Sequence, residues 1–178
     1  MSAQRGARAS AFVRCACVLA GLATGCADTP LPGTMLGTYR VTASLQANAC
    51  GTGVAPPNPW NFDVQLSEQG STLYWSWMDG TPPLSNALDQ RSTSLTTTQT
   101  ANVDGTADGG LGPCTMQRAD GVDLTLAAGS PPGSFQASIA YAFSVASGAN
   151  CADQLSASGG SYDALPCSLS YTATGARQ

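Results

Sequence analysis

The stretch that decides the fold is Ser134-Phe135-Gln136-Ala137-Ser138-Ile139-Ala140-Tyr141-Ala142-Phe143-Ser144-Val145. Phe135, Ile139, Tyr141, Phe143 and Val145 alternate with Gln136, Ser138 and Ser144. That period of two belongs to a strand with one apolar and one wet face.

Working outward, the same pattern recurs. Tyr39, Val41, Ala43, Leu45 and Ala47 alternate with Thr38, Arg40, Thr42, Ser44 and Gln46. Phe62, Val64 and Leu66 alternate with Asp63, Gln65 and Ser67. After a Gly70-Ser71 turn, Leu73, Trp75 and Trp77 alternate with Thr72, Tyr74 and Ser76, which makes a hairpin. Further strands are expected at about 91–101, 114–118, 121–128, 134–146 and 166–174. Turn clusters separate them: Asp79-Gly80, Asp104-Gly105, Asp108-Gly109-Gly110, Asp120-Gly121 and Ser130-Pro131-Pro132-Gly133. No helix of convincing length and no repeat interrupts the series.

About eight short antiparallel strands, each with one apolar face, close into an up-and-down barrel or pack as a two-sheet sandwich. The hairpin-like spacing describes a meander, and closure removes exposed edges, so the all-β barrel is the expected fold.

The N-terminus locates the protein. Arg5, Arg8 and Arg14 form a positive region free of acids, and Cys15 to Thr24 is apolar but too short to span a bilayer, so residues 1–25 read as a removed signal. Leu22-Ala23-Thr24-Gly25-Cys26 resembles the cleavage box of bacterial lipoproteins, although Ala23 stands where that family usually has Leu. The resemblance implies cleavage before Cys26 and lipidation of its thiol. Ala27, rather than Asp, follows the cysteine, which implies the outer membrane of a two-membrane bacterium.

Residues 26–35 read as the lipidated end and a tether with a reach of at most roughly 30 Å. Residues 36–178 are expected to form one domain. Removing 25 of the 178 residues leaves 153, enough for one sizeable core. All seven basic residues are arginines; three leave with the signal while all eleven acids stay, for a formal charge of −7. So acidic a domain offers no footprint to a phosphate backbone, and nucleic acid is not expected as a partner. The membrane is expected to hold it only through acyl chains, at about 0.8 kcal/mol per buried methylene.

Gly37-Thr38-Tyr39 resembles the Gly-x-Trp that opens the first strand of lipocalins, with Tyr in place of Trp. Arg177 falls after the last expected strand, where that family often has a basic partner for the aromatic. The likeness covers only these residues and implies a barrel, not a ligand.

With Cys26 used for lipid, Cys50, Cys114, Cys151 and Cys167 remain for two disulfides. The expected pairing is Cys50–Cys114 and Cys151–Cys167. The second would brace the turn-rich 150–166 segment, contributing about 3 kcal/mol in the chain-entropy model.

The sequence contains no His and no Lys. Nucleophile–imidazole pairs, imidazole metal ligands, Schiff-base chemistry and the phosphate-loop lysine are therefore excluded. Asp63, Glu68, Asp120 and Asp123 are the acids from which a carboxylate-dependent hydrolase could be built, but all are expected on wet faces or in turns, so no enzyme and no cofactor are expected. Asn102, Asp104, Thr106 and Asp108 carry oxygen at alternate positions, a weak calcium pattern without the later bidentate Glu; turn formation is the expected role.

Four aromatics are candidate ligand or partner contacts. Trp75 and Trp77 share a stripe with Phe62 and are expected to pack; Trp60 and Tyr74 are read as lying off it. Trp60, beside the stiff Pro56-Pro57-Asn58-Pro59, is free to meet a sugar ring or a protein. The expectation is a non-catalytic envelope lipoprotein acting in structure or interaction. The alternative is a binding module for a small apolar ligand or a saccharide.

Overall fold

The computed structural model describes residues 30–103 and 114–178. Eight strands follow in order: β1 (Thr34–Asn48), β2 (Trp60–Gln69), β3 (Thr72–Ser76), β4 (Leu84–Ala87), β5 (Ser92–Val103), β6 (Cys114–Leu126), β7 (Ser134–Val145) and β8 (Cys167–Arg177). Two single-turn 3₁₀ helices, Ala152–Gln154 and Ser156–Ser158, lie between β7 and β8. All strand neighbours are antiparallel, in the order β4-β3-β2-β1-β8-β7-β6-β5. This is the up-and-down barrel, not the sandwich.

Closure between β4 and β5 is partial. Asp89 and Ser92 exchange backbone hydrogen bonds of 2.8 and 2.7 Å across the Gln90-Arg91 turn, and the Asn86 side chain donates to the Ser94 carbonyl at 2.7 Å. β4 then ends its pairing, whereas β5 continues beside β6 as far as Val103. Among the described residues, the upper half of β5 is therefore paired in a ladder on one side only, with β6.

Most strands begin and end within a few residues of their expected bounds, with three differences. The segments expected at 114–118 and 121–128 are one strand, β6, running straight through Asp120-Gly121. Its inward residues Met116, Asp120, Val122, Leu124 and Leu126 keep one parity and are all buried, so the ladder overrides the turn tendency of the dipeptide. β4 was not expected, since Leu84-Ser85-Asn86-Ala87 is too short and polar to show a period. The tether is also shorter at its inner end: Thr34 and Met35 already pair with Glu68 and Ser67, and the Ser67 hydroxyl donates to the Pro32 carbonyl at 2.7 Å.

One end of the barrel, here the lower, carries the tight Gly70-Ser71 and Gln90-Arg91 turns and residues 127–133. Its interior is filled. Tyr39, Val41, Val64, Leu66, Leu73, Trp75, Leu95 and Ile139 have no solvent exposure. The Phe135 ring lies 5.4 Å from both Tyr39 and Trp75, and it rests against Gly175, where any Cβ would enter the ring. Tyr39 donates its hydroxyl to the Pro132 carbonyl at 2.7 Å. Arg177 is the last residue of β8 rather than lying beyond it, and stands opposite Tyr39 in register. A dense interior of this kind resists any ligand.

All four expected cysteines are in disulfides, but the pairing is Cys50–Cys167 and Cys114–Cys151. The expected Cys50–Cys114 and Cys151–Cys167 pairs are therefore wrong. Antiparallel pairing of β1 with β8 brings Cys50, just past the end of β1, to Cys167 at the start of β8. Cys114 at the start of β6 faces the segment that leaves β7. Barrel adjacency decides the partners, not the shortest loop.

Candidate ligand site at the mouth of the barrel

The upper end holds the longer connections, among them residues 49–59, 77–83 and 146–166, and here the interior opens. Trp60 begins β2 directly after the Pro56–Pro59 segment, which is pinned where the Leu45 amide donates to the Asn58 side chain at 3.2 Å. Trp60 has the parity of Phe62, Val64 and Leu66, so it points into the barrel and not off the stripe as the sequence reading had it. Its ring lies 4.2 Å from Phe62, 5.5 Å from Tyr171 and 6.0 Å from Trp77, the last nearly parallel at 17°.

A cavity of about 310 Å³ opens beside it. Tyr141, Phe143, Leu169 and Tyr171, all inward residues of β7 and β8, form one wall, Pro56 and Pro57 form the rim, and Arg118 closes the far side. A second cavity of about 200 Å³ continues past Arg118 and Phe143 towards Gln99, Val103 and Tyr162. The two share Arg118 and Phe143 in their linings and lie side by side, and the pair is called the groove of the mouth. The Tyr162 ring packs 5.9 Å from Phe143.

Arg118 and Asp120 give the groove its polar floor. Arg118 Nε and Nη2 donate to the two Asp120 oxygens at 2.7 and 2.8 Å, and Nη2 also lies 3.4 Å from Gln99 Oε1. The guanidinium sits 5.4 Å from the centre of the Tyr141 ring, a cation–π arrangement. Asp120 was expected on a wet face or in a turn; it is buried, because β6 is continuous and Asp120 shares the inward parity of Val122. Its hydrogen bond holds the Arg118 pKa above the ordinary arginine value. Burial, with the Asp120 charge adding to it, pushes the Tyr141 phenol up strongly, and burial alone raises Tyr171. Asp79, held below the ordinary carboxylate value by the Thr81 hydroxyl and amide at 2.7 and 3.0 Å, lies within electrostatic reach of Arg118.

Of the four aromatic candidates, Trp60 alone lines the cavity. Trp75 is core, Trp77 backs Trp60, and Tyr74 faces outward on β3, with its hydroxyl 3.4 Å from Gln69 Oε1. Asp63 is paired with Arg40 on the outer wall, and Asp123 is exposed there. Asn102 accepts from the Thr115 hydroxyl at 2.9 Å; Asp104, Thr106 and Asp108, the rest of the calcium pattern, lie outside the described residues, as does Cys26. The sequence reading missed Arg118, Tyr141, Phe143 and Tyr171 as site residues. Strand parity was the available signal for the aromatics. For Arg118 it was obscured by dividing β6.

The fold and this site together define an eight-stranded up-and-down β-barrel with a packed base and an aromatic, ion-paired mouth. No family model, no curated protein and no solved structure matches the chain.

Proposed function

We propose that this chain is an exported lipoprotein, anchored through Cys26 to the outer membrane, whose barrel is a non-catalytic binding module for a small ligand held at its mouth. The observation that carries the binding reading is the groove beside Trp60. Its first cavity, about 310 Å³, lies at the small end of the range for ligand sites and combines aromatic walls with a few convergent polar groups. The second reading, an envelope interaction without a small ligand, draws on the filled interior of the lower half.

The two parts of the proposal are tested separately. Wild-type protein is expected to incorporate labelled palmitate and sediment with membranes, while Cys26→Ser is released; a variant that still sediments, with no label in the wild type, removes the anchor. The purified mature domain is expected to bind the neutral dye Nile red saturably, and Trp60→Ala to lose that binding. Wild-type protein that binds neither the dye nor any saccharide overturns the pocket and favours the envelope-interaction reading.

A further inference from the structure

The groove has features that a simple apolar pocket lacks. Its midpoint is an ion pair. A wholly apolar ligand would strip water from the half-exposed Arg118 guanidinium without replacing its hydrogen bonds, a costly exchange. The pair is also charge-balanced. An anion would meet an arginine already neutralised by Asp120, with Asp79 near by, in an acidic domain; a cation would meet Arg118. The ligand that suits the site is uncharged, has an apolar face to lie on an aromatic ring, and carries acceptors at its edge.

The free donors are in place. The Arg118 side chain is 42% exposed, and its Nη1 makes no hydrogen bond among the described residues, which leaves two N–H groups for a ligand. Aromatic surfaces flank this centre on both sides, Trp60 and Tyr141 in the larger cavity and Phe143 with Tyr162 along the smaller.

Building on the binding reading, we propose that the groove recognises an uncharged glycan across at least two consecutive sugar rings, one stacked on Trp60 and the next lying beyond Arg118 against Tyr162. A sugar ring offers the apolar C–H face that an aromatic side chain covers, and its hydroxyl oxygens supply the acceptors for Arg118. The second ring accounts for the second cavity.

The test is binding of the mature domain to an array of neutral and anionic glycans. Calorimetry then follows the one- to six-unit oligomers of whichever neutral sugar binds, or of glucose and N-acetylglucosamine if the array is silent. Neutral glycans are expected to bind in preference to anionic ones, with affinity rising at least tenfold from one unit to two. Trp60→Ala is expected to abolish binding of every length. Tyr162→Ala is expected to remove the gain from the second unit, and Tyr162→Phe to restore it. Each variant is used only if its thermal unfolding remains cooperative, and wild-type tryptophan emission, which should shift on binding, gives a readout free of substitution. Co-sedimentation with the insoluble polymer of the same sugar separates a polymer-borne glycan from a free one. Saturable Nile red binding with no neutral glycan bound, or a preference for anionic glycans, overturns the glycan proposal and leaves the pocket standing. Loss of both kinds of binding takes down the pocket as well.

Discussion

Arg118 and Asp120 stand two residues apart on one strand, and the guanidinium turns along the inner wall of the barrel to bond both carboxylate oxygens. Residues i and i+2 of a strand share a face about 7 Å apart, a gap that the arginine stem spans. The two partners are unequally buried: the side chains of Asp120 and Arg118 are 5% and 42% exposed. The acid therefore depends on the arginine more than the arginine depends on the acid.

That inequality sets an order of effects. Arg118→Ala leaves a carboxylate in the barrel wall without its partner. Breaking a fully buried pair costs about 3–5 kcal/mol; with one partner half in water, roughly 2 kcal/mol is expected. Asp120→Asn removes the charge, keeps the shape and leaves a guanidinium that reaches solvent, so it is expected to cost about 1 kcal/mol. Urea unfolding of the two variants checks the order, and a larger loss in Asp120→Asn contradicts it.

The disulfides make a second test. Peptide mapping without reduction is expected to give Cys50–Cys167 and Cys114–Cys151, separated by 117 and 37 residues. Replacing either pair by alanines is expected to cost about 3–5 kcal/mol in the chain-entropy model, with the larger loss for Cys50–Cys167 because it closes the longer loop. A Cys151–Cys167 peptide would contradict the strand adjacency on which the barrel rests.

The pairing also marks where the sequence stopped being readable. Period-two alternation locates β1, β2, β3, β7 and β8 because each has one buried face, and a face is a local property. Which strands become neighbours is not local: Cys50 meets Cys167 only because β8 returns to β1. Asp120-Gly121 shows a different limit, since a turn-forming dipeptide and an acid both argued against an inward strand position, and tertiary pairing with Thr97 and Tyr141 prevailed. The mouth was half legible. Trp60 stood out beside its prolines, whereas its partners Tyr141 and Tyr171 come from strands far along the chain and are joined to it only by closure of the barrel.

Trp75 and Trp60 separate core from site. Trp75 is wholly enclosed, and truncation to alanine is expected to cost about 3–5 kcal/mol through lost contacts and the cavity left behind. Trp60 already borders open space, so Trp60→Ala forfeits fewer contacts and is expected to cost about 1–2 kcal/mol. Equal losses in denaturant midpoints would mean that the mouth is packed as tightly as the base, contrary to the cavity beside Trp60.

Three phenols tie the fold to alkaline pH. Burial raises the pKa of Tyr39, with Arg177 opposing, and of Tyr171; at Tyr141 burial and then the Asp120 charge raise it, against Arg118. In the unfolded chain these groups ionise near their ordinary value of 10.0. The folded protein keeps its protons beyond that point and so binds more of them than the unfolded chain. Stability from these groups is therefore fully present below about pH 10 and falls as the pH rises through the raised values. Urea midpoints measured upward from about pH 9 are expected to hold level and then decline. Tyrosinate absorbance of the folded protein should lag behind that of the chain in denaturant. Tyr141→Phe keeps the ring and the wall of the groove but removes the most strongly perturbed phenol, so its decline should be shallower than that of the wild type. A variant that declines as steeply would mean that Tyr141 ionises in the folded barrel as readily as in the open chain, and that the floor of the groove is wet.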